Sequence, residues 1–324
     1  MKARLAMTVG DPRGIGPEIV AKALADSRVG ERCDVVVVGA EGCGVRVNES
    51  VGKWAAGGGA ALAGKLSGLA IERAVQMAMS GEVDGIVTAP IDKAALHAGG
   101  YDFPGHTEML GKLTGSRVAM MLASDKLRVV LATTHIPLRE VAKKLTTESI
   151  TEAARITRDG LKGWFGIVEP RIALCALNPH GGDGGRFGRE DSTLMAPAAR
   201  AAGISGPFPA DTIFVRAMRG EFDAVIAPYH DVGMTAIKVA SFGNAVNITL
   251  GLPFPRTSPD HGTALDIAGE NRADPASMIA ATLLCASIAS IASAAARDQS
   301  PAGQQPNGDR QPESRSSGRP SRAR

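Results

Sequence analysis

The amino-acid sequence predicts an α/β protein built on a doubly wound sheet. Three observations carry this. Short apolar runs alternate with stretches of helical spacing along most of the chain. One run, Asp34–Val38, is a near-continuous valine segment of the kind found in parallel sheets. The 39 glycines and only 4% aromatics describe a core of Ala, Val, Leu and Ile joined by tight strand-to-helix turns.

In chain order, Arg4–Val9 reads as a buried strand and Gly10–Gly16 as the turn after it. Pro17–Leu24 follows as a helix with proline in its first turn. Asp34–Val38 is the second strand, and Ala40–Gly68 is glycine-rich and weakly patterned. Leu69–Met79 has helical spacing, and Gly85–Thr88 is a short strand ending at Ala89-Pro90. Leu127–Thr133, Arg171–Leu177 and Asp223–Ala227 are strands that end just before His135, Asn178-Pro-His180 and Tyr229-His230. Ile279–Ala296 is apolar but diluted by Ser and Ala, and reads as a buried helix; no stretch reaches the length of a membrane span. From Arg297 the residues are Gln, Pro, Ser, Arg and Gly, which predicts a disordered tail over 297–324.

The net charge of +3 owes much to that basic tail. The near-neutral body calls for neither nucleic acid nor a membrane surface. Cys33, Cys43, Cys175 and Cys285 form no C-x-x-C pair and read as free thiols in a reducing compartment. Met1–Gly10 runs as a strand into a Gly/Pro turn, unlike a secretion signal.

Ligands of doubly wound folds bind beyond the carboxyl ends of the strands. His135, His180 and His230 each follow a strand, so topology alone collects them at one edge. Imidazole is the common side-chain ligand of divalent transition metals, and three protein ligands leave positions open for substrate. The alternative is that each histidine packs or caps a turn, and no H-E-x-x-H motif decides between them. Gly10–Gly16 opens a helix, so its amides could face an anion, but its G-x-x-x-G-x-G spacing fits a plain turn equally. Lys238 and Arg256 flank the apolar stretch Val246–Leu252, which contains Asn247, and Lys93 follows a strand end. These are either seats for a phosphate or carboxylate or ordinary surface charge.

Several blocks, in order, resemble the 4-hydroxythreonine-4-phosphate dehydrogenase family. They are Gly10-Asp-Pro-Arg-Gly-Ile-Gly-Pro-Glu18, Thr88-Ala-Pro-Ile-Asp-Lys93, Pro104-Gly-His-Thr-Glu108 and Thr134-His-Ile-Pro-Leu138. Leu177-Asn-Pro-His-Gly181, Gly206–Thr212, Tyr229-His-Asp231, Val246–Pro253 and Asp260–Gly269 follow. The resemblance implies an isopropylmalate dehydrogenase-like fold, with residues 1–296 forming one catalytic unit. Its two α/β/α lobes, 1–130 with 255–296 and 131–254, would flank an active-site cleft. It implies that His135, His180 and His230 bind a divalent metal (zinc, magnesium or cobalt) completed across a homodimer interface. His106, Thr107, Lys238, Asn247 and Arg256 fall on substrate-binding positions. His261, Gly262 and Asp266 fall on a cofactor loop, where the Asp266 carboxylate would favour NAD over NADP by repelling a 2′-phosphate. Asp211, Lys93 and Asp231 stand as candidates for the proton acceptor.

The activity implied is cytoplasmic, NAD-linked oxidation of 4-hydroxy-L-threonine 4-phosphate to a 3-oxo acid with decarboxylation, in vitamin B6 synthesis. D-Threonate or D-erythronate 4-phosphate, or an aromatic dihydrodiol, are alternative substrates within the family. A non-catalytic metabolite-binding protein is the alternative from another class. Three features depart from the family pattern: the segment Ala40–Gly68 looks abbreviated for a peripheral strand and helix, Val232 stands where Gln is expected, and Pro228 precedes Tyr229.

Overall fold

The computed structural model describes residues 2–241 and 245–298. Beyond its first two residues, the tail expected to be disordered lies outside the described residues.

One sheet of eleven strands runs through the molecule in the order β3-β2-β1-β4-β11-β10-β5-β6-β9-β7-β8. On one flank, β1 (Ala3–Thr8) lies parallel between β2 (Cys33–Glu41) and β4 (Gly85–Thr88), with β3 (Glu49–Lys53) outside β2. On the other flank, β6 (Arg128–Leu131), β9 (Ala224–Ala227), β7 (Ile172–Cys175) and β8 (Ser205–Phe208) are mutually parallel. The flanks meet through a reversal. β11 (Arg256–Pro259) runs parallel to β4, β10 (Val246–Leu250) is antiparallel to β11 and to β5 (Ala119–Ala123), and β5 is antiparallel to β6. The centre of the sheet is not legible in the sequence, because β5 is buried along its whole length and shows no alternation.

The segment Ala40–Gly68 is more structured than its composition suggests. β2 extends through Glu41, β3 adds the peripheral strand, and α3 (Ala60–Met79) begins nine residues before the helical spacing becomes visible. Glycines hide its start. A Cβ on Gly64 would collide with the carbonyl oxygen of Ala95, and one on Gly68 with the Tyr101 ring. Glycine here permits close packing of α3 on α4 (Lys93–Ala98) and marks no loop.

α11 (Ala276–Asp298) lies against β11, β4 and β1, with Met278, Ala281, Cys285 and Ile288 buried. By length and composition it is the one helix among the described residues able to cross a membrane. Its contacts with the sheet make it a core-packing helix with one face buried, less fully enclosed than the sequence suggests. All four cysteines are free, three of them buried.

Candidate functional site

β6, β9 and β7 are parallel neighbours, so their carboxyl ends share one edge of the sheet. His135 follows β6, and His230 follows β9 as the first residue of α10 (His230–Ser241). Their rings face each other at 5.6 Å between centroids, tilted by 44°. His230 Nδ1 lies 2.8 Å from the Asp231 carboxylate, leaving Nε2 for another partner. Burial, reinforced by the nearby Lys93 charge, lowers the His135 pKa and favours the neutral imidazole that a metal requires.

These two histidines sit on a cleft of about 420 Å³ reached from both flanks of the sheet. Lys93, His106 and Thr107 approach it from helix starts, Lys238 from α10, Asn247 and Arg256 from the central strands, and His261 with Gly262 from the loop after β11. α5 (His106–Thr114) points its first turn into the cleft with no capping side chain, so its N–H groups and helix dipole are available to an anion. Arg256 is only 1% exposed, yet lines the cleft. Its guanidinium donates to Thr249 Oγ1 at 2.9 Å and Thr88 Oγ1 at 2.5 Å, and burial pushes its pKa down to about 10. Burial, with the charges of Arg256 and Lys93, holds His106 well below the usual imidazole range. Lys238 pairs with Asp260 at 3.0 Å.

Buried polar atoms in native proteins almost always have partners. Among the described residues seven buried side-chain polar atoms have none, and three of them belong to this one cleft: His106 Nε2, Asn247 Oδ1 and Arg256 Nε. This gathering of unpartnered polar atoms marks the cleft as the candidate binding site.

The third histidine lies elsewhere. His180 occupies a turn (Pro179–Gly185) whose backbone is left-handed from His180 through Gly184, with φ of 53° at His180 itself. Buried Asp191 holds the base of this turn, accepting from the N–H groups of Leu177 and Asn178 at 2.7 and 3.0 Å. His180 faces Asp211 at 3.9 Å across a second cavity of about 260 Å³, which Tyr229 and Val232 also line. Among the described residues, no three His, Cys, Asp or Glu side chains converge on a metal-sized site. The expected trio is thus divided within one chain. Its residues fit a metal only as a partial set: a facing imidazole pair in one place and a single exposed imidazole in another.

The glycine turn after β1 spends four of its amides on partners within the protein. Asp11 N–H donates to Pro90 O, Gly14 N–H to Asp11 O, Ile15 N–H to Thr263 O, and Arg13 N–H to the Asp11 carboxylate. Buried Asp11 also holds the Arg13 guanidinium at 2.6 Å. The bonds to Pro90 and Thr263 brace the turn against other loops, and the two to Asp11 close the turn itself. Asp266 is exposed and lines neither cavity described so far, and Asp231 is exposed beside His230. Glu108, Asp260, Thr88 and Thr249 stand at the cleft or hold its residues, and sequence reasoning assigns them no role. Each lies inside a recognised motif, yet a hydroxyl that braces a distant guanidinium leaves no mark in a linear pattern.

The model of the family described as "Pyridoxal phosphate biosynthetic protein PdxA" matches residues 19–285. The chain belongs to the PdxA family. A 4-hydroxythreonine-4-phosphate dehydrogenase of Desulforapulum autotrophicum is 44% identical, the match covering 90% of this chain and 96% of that protein. The crystal structure of a 4-hydroxythreonine-4-phosphate dehydrogenase from Klebsiella pneumoniae superposes with a TM-score of 0.80 at 38% identity, covering 89% of this chain and 98% of that one. A β-decarboxylating dehydrogenase of Thermococcus kodakarensis superposes with a TM-score of 0.50 at 16% identity, covering 87% of this chain and 82% of that one. That likeness bears on fold alone. The PdxA chain described here thus has the isopropylmalate dehydrogenase-like α/β fold expected from its motifs.

Proposed function

We propose that this chain is a 4-hydroxythreonine-4-phosphate dehydrogenase of vitamin B6 synthesis. The observation that carries the reading is the cleft in which unpartnered buried atoms of His106 and Asn247 gather with the buried, partly unpartnered guanidinium of Arg256. A phosphorylated substrate that also carries a hydroxyl, an amino group and a carboxylate matches the polar character of this cleft.

In this reading Arg256, held by Thr88 and Thr249, and the first turn of α5 with His106 and Thr107 receive the phosphate. Asn247 and Lys238 orient the rest of the substrate. Lys93, Asp211 and Asp231 remain the candidates for taking the hydroxyl proton. Lys93 lines the substrate cleft itself, which favours it. His135 and His230 supply two ligands of a divalent metal, and a second copy of the chain supplies the third, its own His180. When bound, the metal acidifies the substrate hydroxyl and stabilises the charge left by decarboxylation, while NAD accepts the two electrons. The loop from His261 to Gly269, carrying Asp266, takes the cofactor ribose. The working unit is accordingly a cytoplasmic homodimer, each chain folded as two lobes around the cleft.

Two assays test this. NADH formation should be fastest with 4-hydroxy-L-threonine 4-phosphate, lower with D-erythronate 4-phosphate, and abolished by chelation until a divalent ion is restored. Preference for another substrate would move the assignment within the family, and turnover in metal-free protein would remove the metal. Mixing two inactive variants, His180→Ala and His135→Ala, should regain roughly a quarter of wild-type activity through mixed dimers with one intact site. No recovery would place all ligands in one chain.

A further inference from the structure

The loop after β11 carries the proposed cofactor residues but has no regular structure of its own from Asp260 to Pro275. Its backbone takes left-handed angles at Ala264 (φ 42°), Gly269 (φ 83°) and Asn271 (φ 57°). Such a segment keeps one shape only when its surroundings over-determine it. Its near end is fixed where Thr263 O accepts from Ile15 N–H at 2.9 Å, and where Gly14 leaves no room for a side chain beside Thr263.

Its far end is fixed by two charged side chains on α1 (Gly16–Ala25). Glu18 Oε1 accepts from Ala273 N–H at 2.7 Å and from Lys22 Nζ at 2.8 Å. Lys22 Nζ also donates to Ala273 O at 2.8 Å and Asn271 O at 3.2 Å. All three ammonium hydrogens thus have acceptors, two of them loop carbonyls. Between the anchors, α1 and the loop residues Ala268, Gly269 and Asn271 line a cleft of about 430 Å³.

We propose that Glu18 and Lys22 are positioning residues for the cofactor: they clamp the far end of the loop on α1 and so fix where Asp266 can reach. The proposal rests on the reading of His261–Gly269 as the cofactor loop. Neither residue need touch NAD. Their effect is to order in advance a segment that the cofactor would otherwise have to order on binding.

The test compares Glu18→Ala, Lys22→Met, Glu18→Gln and Asp266→Ala with wild type. NADH affinity is measured by calorimetric titration, steady-state constants by assay, and amide hydrogen exchange on protein without cofactor. Glu18→Ala and Lys22→Met should speed exchange over residues 264–273 and weaken NADH binding about tenfold or more, since each removes at least one charged hydrogen bond to the loop. Both should leave kcat at saturating NAD and the substrate KM within about twofold. Glu18→Gln, which keeps an acceptor for Ala273 N–H, should recover most of the loss. Weak NADH binding in Asp266→Ala alone, with the clamp variants like wild type, would overturn the clamp and keep the loop reading. Normal NADH binding in Asp266→Ala and in both clamp variants would overturn the loop reading as well. Equal losses in both Michaelis constants and kcat, with a lowered melting temperature, would reduce the pair to general bracing of the fold.

Discussion

At the scale of single residues, the cleft is defined by groups kept out of their ordinary state. Burial and two neighbouring cations hold the His106 imidazole well below its usual range. As pH falls through that range, the unfolded chain binds a proton that the native chain refuses. Stability is therefore full above the unfolded pKa and falls as pH drops beneath it. The melting temperature should drop between about pH 7.5 and 5.5, with at most about 1.4 kcal/mol per pH unit from this group. His106→Asn should show a smaller drop, and identical pH profiles would show that His106 titrates normally. His180 is the converse case, an exposed side chain on a left-handed backbone that favours glycine. His180→Gly should keep or raise the melting temperature while removing turnover, and a clear loss of stability would show that the imidazole braces its turn. Arg256→Lys keeps a charge but cannot span Thr88 and Thr249 together. It should lower kcat/KM for a phosphorylated substrate by about 1.5–3 kcal/mol, about ten- to a hundredfold, without changing NADH affinity. Equal impairment on an unphosphorylated analogue would leave Arg256 as a brace only.

At the scale of elements, glycine has two opposed meanings, which sequence alone does not separate. Gly64 sits in α3 against the α4 backbone, whereas Gly30 sits in the exposed short helix α2 (Ser27–Arg32) with open space around it. Gly64→Ala should cost about 1–3 kcal/mol by overpacking. Gly30→Ala should gain about 0.5–1 kcal/mol of helix propensity. Denaturant melts of both variants measure the contrast, and shifts of the same sign would contradict the packing described for α3. The same ambiguity explains what is legible. The strand Gly85–Thr88 is readable to the residue, and the other expected strands are found with ends displaced by about one to three residues. The first half of α3 is hidden by its glycines, and β5 by burial on both faces. The cleft residues are readable through their motifs. The separation of His180 from the other two histidines is not, because sequence places a residue at a strand end without fixing which way its loop then turns.

At the scale of the whole molecule, the proposed metal site would make assembly part of the chemistry, because His180 stands apart from His135 and His230 within one chain. If the site needs His180 from a second chain, specific activity should fall on dilution in step with dissociation. Sedimentation and activity measured on the same dilution series would follow one curve. A fully active monomer would refute the shared site. Val215 and Met218 on α9 (Ala210–Met218) and Val239 on α10 are exposed apolar side chains. If the proposed dimer buries Val239, Val239→Glu should weaken self-association more than it weakens the isolated fold, as read by sedimentation and by melting temperature.

The strand order has a consequence for how the protein is made. β10 and β11 lie between β4 and β5, although about 120 residues of chain are synthesised between β5 and β10. While the ribosome is still extending the chain, β4 and β5 each present an unpaired apolar edge with no partner yet in existence. The two flanks can collapse separately, but the strands that join them and the helix that covers them arrive last. A nascent chain stalled before Arg256 should be protease-sensitive and prone to pair with other unfinished chains, and should become resistant only after α11 has left the exit tunnel.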